Sequence, residues 1–278
     1  MPELPEVQTI INALKKKPLL NHKIKKVDIL LPKVIKNTTP AKFKSFILGE
    51  SIVDIKRKGK YLIFCLSHGK VWLVHLRMEG KLFFHKTSEK LHQSHLMVQL
   101  DFDNGYTLGY YDTRMFGTFH VFNSLEDAYD SKELLKVAID PFNKEFTKQY
   151  LYDKIHNIKR AIKTTLLDQS IVSGIGNIYA DEILFMCKIN PLRPANKVSL
   201  SDCANIVKYS RSIMEASMKH KGTTVFSYKF EQDHSGEFQK FLKAHTKEGE
   251  KCPKCGTKIV KIKVNGRGTY YCPSCQSK

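Results

Sequence analysis

Leu4, Val7, Ile11 and Leu14 recur at the spacing of one helix face, so the chain is expected to open with a helix. Pro5 suits its first turn, where a missing N–H costs nothing, and Glu6 lies at the positive end of the helix dipole. The pattern then shortens to strand length. Ile52–Ile55, Tyr61–Leu66, Val71–Leu76, Lys81–His85, Leu96–Phe102, Tyr106–Tyr111 and Thr118–Phe122 read as strands. Asn104-Gly105 is a type I′ hairpin signal, and Ser67-His-Gly-Lys70 is a second turn. Short strands this dense predict a sandwich or barrel. From about residue 133 the pattern becomes helical, punctuated by Pro141 and Pro191. Ser199 and Asp202 form an N-cap arrangement for a helix running to about Lys221, with Gly222 as its stop. Ser173-Gly-Ile-Gly-Asn177 is a tight turn between helices or a backbone phosphate cradle, and the spacing leaves both open. The polar stretch with Gly236 and Gly249 reads as a partly mobile connector. The organisation expected is 1–132 β-rich, 133–225 helical, 226–250 connector and 251–278 a terminal module.

Charge sharpens this picture. Lys and Arg outnumber Asp and Glu by 46 to 27, a net charge of +19. That excess points to a polyanionic partner. A membrane is not expected, because apolar runs such as Tyr61–Leu66 fall far short of the roughly 20 residues of a span. Glu3 and Glu6 stand where a signal peptide carries positive charge, so a cytoplasmic protein is expected. Cys65, Cys187 and Cys203 lie in apolar contexts and read as buried small hydrophobes.

The remaining cysteines are spaced differently. Cys252-Pro-Lys-Cys255 and Cys272-Pro-Ser-Cys275 are two C-x-x-C knuckles sixteen residues apart, the spacing of a tetrahedral Cys₄ zinc site. Between Lys251 and Lys278 there are six lysines, one arginine and no acidic residue. A zinc-stapled hairpin with only positive charge suits nucleic acid.

The opening Met1-Pro-Glu-Leu-Pro-Glu-Val7, the run Asn177-Ile-Tyr-Ala-Asp-Glu182 and the terminal finger, in that order, closely resemble bacterial formamidopyrimidine-DNA glycosylases over the whole chain. Leu4 favours this branch over endonuclease VIII, which typically begins Pro-Glu-Gly-Pro. The resemblance implies a multidomain α+β fold: an N-terminal β-sandwich with an opening helix, a helix-two-turn-helix domain and a C-terminal zinc-finger β-hairpin. It implies a monomeric bacterial repair enzyme that excises oxidised purines (8-oxoguanine, formamidopyrimidines) from duplex DNA and cleaves the strand. One structural zinc and no cofactor for the chemistry are expected.

Site residues follow from the same resemblance. Removal of Met1 would expose Pro2 as the nucleophilic secondary amine. An α-amino group has a pKa near ~8 against ~10.4 for lysine, so more of it is neutral. Glu3 matches the catalytic carboxylate beside it. Glu6 reads equally as a second catalytic acid or as a dipole-compensating first-turn residue. Lys60, in Arg57-Lys-Gly-Lys-Tyr61, matches a phosphate-contacting lysine that takes part in catalysis. Met78, Arg114 and Phe116 match the triad that fills the gap left by a flipped nucleotide. Many relatives carry Pro and Arg where Thr113 and Met115 stand, which puts the rigidity of that loop in question. Phosphate contacts are expected from His92 or His95, from Lys159 or Arg160, and from Asn177; Arg267, at the finger tip, would also help strand cleavage. Residues 217–237 are candidates for a base-gripping loop. The rivals are the pyrimidine-directed endonuclease VIII activity and a non-catalytic DNA-binding module on the same scaffold.

Overall fold

The computed structural model describes residues 1–89, 94–223 and 236–277. The chain divides into two compact units: Met1–Leu135 with Lys221–Gly236, and Lys136–His220 with Glu237–Lys278.

The first unit begins with α1 (Leu4–Lys15), which buries Leu4, Val7, Ile11 and Leu14 as their spacing requires. Eight strands follow: β1 (Ile24–Ile29), β2 (Ile52–Lys58), β3 (Tyr61–Leu66), β4 (Val71–His75), β5 (Lys81–Lys86), β6 (Leu96–Phe102), β7 (Tyr106–Tyr111) and β8 (Thr118–Phe122). They pair antiparallel in two four-stranded sheets, ordered β1-β6-β7-β5 and β2-β3-β4-β8. One apolar core draws on α1, both sheets and α2 (Pro40–Ile47). This is the expected β-sandwich. Two of its elements carry weaker sequence signals. β1 is charge-rich and irregular in register between Ile24 and Lys26, so it lacks clean alternation. α2 has only Phe43 and Ile47 buried, on a Thr39 cap whose side chain accepts from the Lys42 N–H.

Turn chemistry differs from the sequence expectation at one place. At Asn104-Gly105 only Gly105 has positive φ (77°), whereas a type I′ turn requires it at both central residues. The I′ geometry occurs instead at His68-Gly69 (φ 57° and 75°) and Asn265-Gly266 (φ 47° and 73°). At Asn104 the side chain is occupied elsewhere, donating to the Pro18 carbonyl at 2.6 Å.

The second unit contains α4 (Lys148–Ile155), α5 (Ile162–Leu166), α6 (Asn177–Cys187) and α7 (Leu200–Lys219), then the hairpin β9 (Val260–Val264) and β10 (Arg267–Tyr271). The short α3 (Leu125–Asp130) belongs to the first unit. Ser199 and Asp202 cap α7 reciprocally: the Asp202 N–H donates to Ser199 Oγ at 3.0 Å, and the Ser199 N–H to the Asp202 carboxylate at 3.1 Å. Residues 236–250, read as connector, are anchored on α6. Backbone N–H groups of Lys243, Ala244 and His245 all donate to the buried Glu182 carboxylate at 2.8–2.9 Å. Among the described residues no helix is long and apolar enough to cross a membrane. Cys203 is buried, and Cys65 and Cys187 are half-buried. Burial pushes all three thiols up, Cys203 to about 12, so they behave as apolar side chains.

Candidate active site and nucleic-acid interface

In the first unit the amino terminus runs into α1. Pro2 and Glu3 are buried, and Glu3 is the N-cap of the helix. Burial lowers the amino group's pKa, against the charges of Glu3, Glu79 and Glu6 that raise it; Lys60 adds a further lowering. The terminus therefore lies within electrostatic reach of three carboxylates and one lysine. Glu6 Oε2 accepts the Glu3 N–H at 2.9 Å, and Glu6 Oε1 accepts the Thr223 N–H at 2.8 Å. The carboxylate is thus an orienting clamp across 217 residues of chain. Lys60 is only 6 % exposed. It occupies the two-residue turn between β2 and β3, where Gly59 takes the left-handed φ of 56°.

His75, on β4, joins this group. Burial, with the nearby charges of Arg77, Lys60 and His120, lowers its pKa to about 3, so the ring is neutral at neutral pH. Its Nδ1 accepts the Arg77 N–H at 2.9 Å, which leaves the ring proton on Nε2. Met78 is half-buried in the following turn. Arg114 and Phe116 are exposed, Phe116 by 50 %, with the guanidinium 5.1 Å from the ring centre. At that exposure Phe116 adds little to the core.

In the second unit the finger hairpin is pinned at Gly268. Lys163 Nζ donates to the Gly268 carbonyl at 2.9 Å and to Thr269 Oγ1 at 2.8 Å, and Asn177 Nδ2 donates to the same carbonyl at 3.0 Å. Lys163 is fully buried and paired with Asp181 at 2.7 Å, whose other oxygen lies 2.7 Å from His245 Nδ1. A buried cation is tolerable only with such partners. Arg267 follows the Asn265-Gly266 turn and is exposed at the start of β10. Asn177 opens α6 after Gly174, whose φ of 88° needs glycine. Lys159 is exposed, whereas Arg160 is held by Asp168 at 2.5 Å.

The four finger cysteines converge, their Sγ atoms all within 4.8 Å of one another. Cys252–Cys275 and Cys255–Cys272 lie at 3.9 and 3.4 Å, near the ~3.8 Å edge of a tetrahedron with Zn–S of about 2.3 Å. The Lys254 and Cys275 N–H groups point at Cys252 and Cys272 sulfur, each at 3.4 Å, as metal-bound thiolates require. The donor set fits one structural zinc.

Three family models match this architecture in order. They are the formamidopyrimidine-DNA glycosylase N-terminal domain over residues 1–119, the H2TH domain of the same glycosylases over 137–228, and a zinc finger found in FPG and IleRS over 249–278. The formamidopyrimidine-DNA glycosylase of Ureaplasma parvum is 51 % identical over the full length of both chains, and that of Mycoplasma pneumoniae 46 % over 99 % of each. The chain belongs to the formamidopyrimidine-DNA glycosylase family. A Lactococcus lactis FPG mutant in complex with a Fapy-dG containing DNA superposes with a TM-score of 0.93 at 33 % identity, covering all of both chains. The Lactococcus lactis Fpg with an abasic site containing DNA gives 0.91, covering 99 % of this chain and all of that one.

Within this glycosylase chain, the first unit gathers Pro2, Glu3, Glu6 and Lys60, and separately presents Arg114 with Phe116. The second gathers Asn177 with the strand that bears Arg267. His92 lies outside the described residues, as does most of the proposed base-gripping loop. His95 is described and exposed, with Ser94 Oγ at 2.8 Å from its Nδ1. His75 and Lys163 carry no signal in sequence. His75 is one polar residue in an apolar run and Lys163 one lysine in a mixed segment, and only long-range partners distinguish either from a tolerated surface group.

Proposed function

We propose that this chain excises oxidised purines from duplex DNA through Pro2 and then cleaves the strand. The observation that carries this is the buried Pro2 and Glu3 at the head of α1, with the Glu3 N–H held by Glu6 and the buried Lys60 close enough for its charge to act on the amino terminus. Removal of Met1 would make the buried Pro2 secondary amine the terminus. The amine attacks C1′ of the damaged nucleoside, and the base departs with the glycosidic electron pair and a proton. The amine then gives up its own N–H proton, the C1′–O4′ bond of the sugar ring breaks as O4′ takes a proton, and the ring-opened product is a cationic iminium on Pro2. It acidifies the 2′-proton, and loss of that proton expels the 3′-phosphate; a second elimination expels the 5′-phosphate. Glu3 moves protons and stabilises the cationic sugar. Glu6 orients Glu3 through its backbone N–H. Lys60 contacts the phosphate next to the lesion, and its charge is one of those that lower the pKa of His75.

In the same reading Met78, Arg114 and Phe116 fill the gap left by the flipped nucleotide. Lys159 and Arg267 neutralise phosphates. Asn177 acts on that strand by holding Gly268, next to Arg267. The zinc supplies no chemistry and orders the hairpin that carries Arg267. The test is borohydride reduction with an 8-oxoguanine duplex, followed by mass spectrometry of the trapped peptide. The adduct is expected on Pro2. An adduct on a lysine with Pro2 unmodified overturns the nucleophile, and no adduct at all favours a DNA-binding module. A panel with oxidised pyrimidines separates the endonuclease VIII specificity.

A further inference from the structure

Asp112 follows β7 and is 1 % exposed. The four residues Arg114, Met115, Phe116 and Gly117 all turn their N–H groups back onto it. Arg114 donates to Oδ1 at 3.0 Å, Phe116 and Gly117 to Oδ2 at 3.0 and 2.8 Å, and Met115 to the Asp112 carbonyl at 3.3 Å. Oδ2 also accepts the Tyr110 hydroxyl at 3.1 Å. A ring of backbone N–H groups is an anion cradle, and here the anion is the chain's own carboxylate. The Asp112 N–H in turn donates to the His95 carbonyl at 3.0 Å, which ties the turn to the start of β6.

The Tyr110 hydroxyl is shared further. A Cβ on Gly117 would fall 1.7 Å from it, and a Cβ on Gly80 would fall 2.4 Å from the same atom. Gly80 closes the turn that carries Met78, its N–H donating to the Leu76 carbonyl at 3.0 Å. Gly117 closes the turn that carries Arg114 and Phe116. Two turns, distant in sequence, thus pack on one buried phenol through glycines with no room for a side chain. Each also contains a non-glycine residue in the left-handed region: Arg77 at φ 54° and Met115 at 56°. Such strain persists only where the surroundings over-determine it. Thr113 leaves φ free where proline would restrict it, so the carboxylate carries the rigidity of the second turn.

We propose that Tyr110 and Asp112 are positioning residues that lock the Met78 turn and the Arg114–Phe116 turn into one preformed wedge. The proposal rests on the gap-filling reading of those three side chains. Its physical content is preorganisation: a wedge already ordered in the free protein loses no conformational freedom on insertion.

The test compares single-turnover excision by wild type, D112N, Y110F and F116A on two substrates. One is 8-oxoguanine paired with cytosine in a duplex. The other is the same lesion facing a one-nucleotide gap, where no orphaned base remains. D112N is expected to slow excision from the paired duplex about 10²-fold, the scale of an ångström-level misplacement, and to slow the gapped substrate far less. Y110F shifts the same ratio in the same direction by a smaller factor, because the backbone bonds to Asp112 survive. If F116A excises the paired lesion at the wild-type rate, the gap-filling reading fails and the proposal falls with it. If F116A is slow while D112N and Y110F match wild type, the wedge stands and the positioning role is wrong. Equal slowing of D112N on both substrates also overturns the proposal, since that marks a damaged site rather than a misplaced wedge. Should D112N lose its fold, seen as a shift in Trp72 emission, Y110F decides on the same ratio.

Discussion

Trp72, the one tryptophan, stacks on Phe64 at 4.5 Å and meets Phe119 at 5.1 Å inside a core drawn from two sheets and two helices. The cysteine finger has nothing comparable. Its apolar cluster is Phe185, Ala244, Cys252, Ile259 and Cys272, and two of those are metal ligands. The sandwich is ordered by apolar area, which is spread over many residues. The finger is ordered by four thiolates and by polar pins: Lys163 and Asn177 on Gly268, and Gln276, which donates to the Ile189 carbonyl at 2.9 Å and accepts the Cys272 N–H. Distributed burial tolerates the loss of one contact better than a point closure does. A region that must present cations to a polyanion cannot spend its few residues on a core, so a metal replaces one.

Chelation, or Cys252→Ser, should break this contrast most sharply. Apparent binding free energies of structural zinc run to about 10–16 kcal/mol in finger peptides, so the finger should unfold outright. Trp72 emission should stay native while zinc content and duplex affinity are lost; unchanged affinity would show that the finger is dispensable. Trp72→Ala is the mirror experiment. A cost of about 3–5 kcal/mol should fall on the sandwich while zinc stays bound, as calorimetry and metal analysis would report. Simultaneous loss of zinc would mean the two regions fold as one.

Glu3→Gln sharpens the comparison on the side of chemistry. Excision should fall by ~10²–10⁴ with duplex binding retained, because an amide cannot shuttle protons. Wild-type single-turnover rates would remove Glu3 from the site. The smallest effect expected is at Glu50. Burial raises its carboxyl, but hydrogen bonds from Ser67, Lys70 and His68 outweigh that and hold it at about 2. A folded pKa below the unfolded value means stability is present above pH 4.5 and is lost as pH falls toward about 2. Urea titrations of Glu50→Gln across that window should show a flatter acid limb than wild type; an identical limb would remove Glu50 from the pH response.

Much of this molecule could be read along the chain. Short apolar and aromatic runs between turn signals located β3, β4, β6, β7 and β8; β4 is buried at every position, so it shows a run and no alternation. The i, i+3, i+4 recurrence located α1, and Ser199 with Asp202 located the start of α7, since caps are local hydrogen bonds. C-x-x-C spacing identified the zinc ligands for the same reason: the metal reads sequence neighbours. Tertiary structure alone decided the rest. Of the two Asn-Gly pairs only Asn265-Gly266 adopts the I′ turn, and the dipeptide alone does not tell them apart. The neutrality of His75 comes from burial among cations. The clamp of Glu6 reaches Thr223, and Lys163 became a structural cation only through Asp181 and Gly268. Tyr110 packs against two turns distant in the chain, both reading Arg-Met-x-Gly, and only the fold shows that they meet. Local patterns report only what a residue's near neighbours demand of it. Burial and long-range hydrogen bonds belong to groups that the fold brings together, and no periodicity records them.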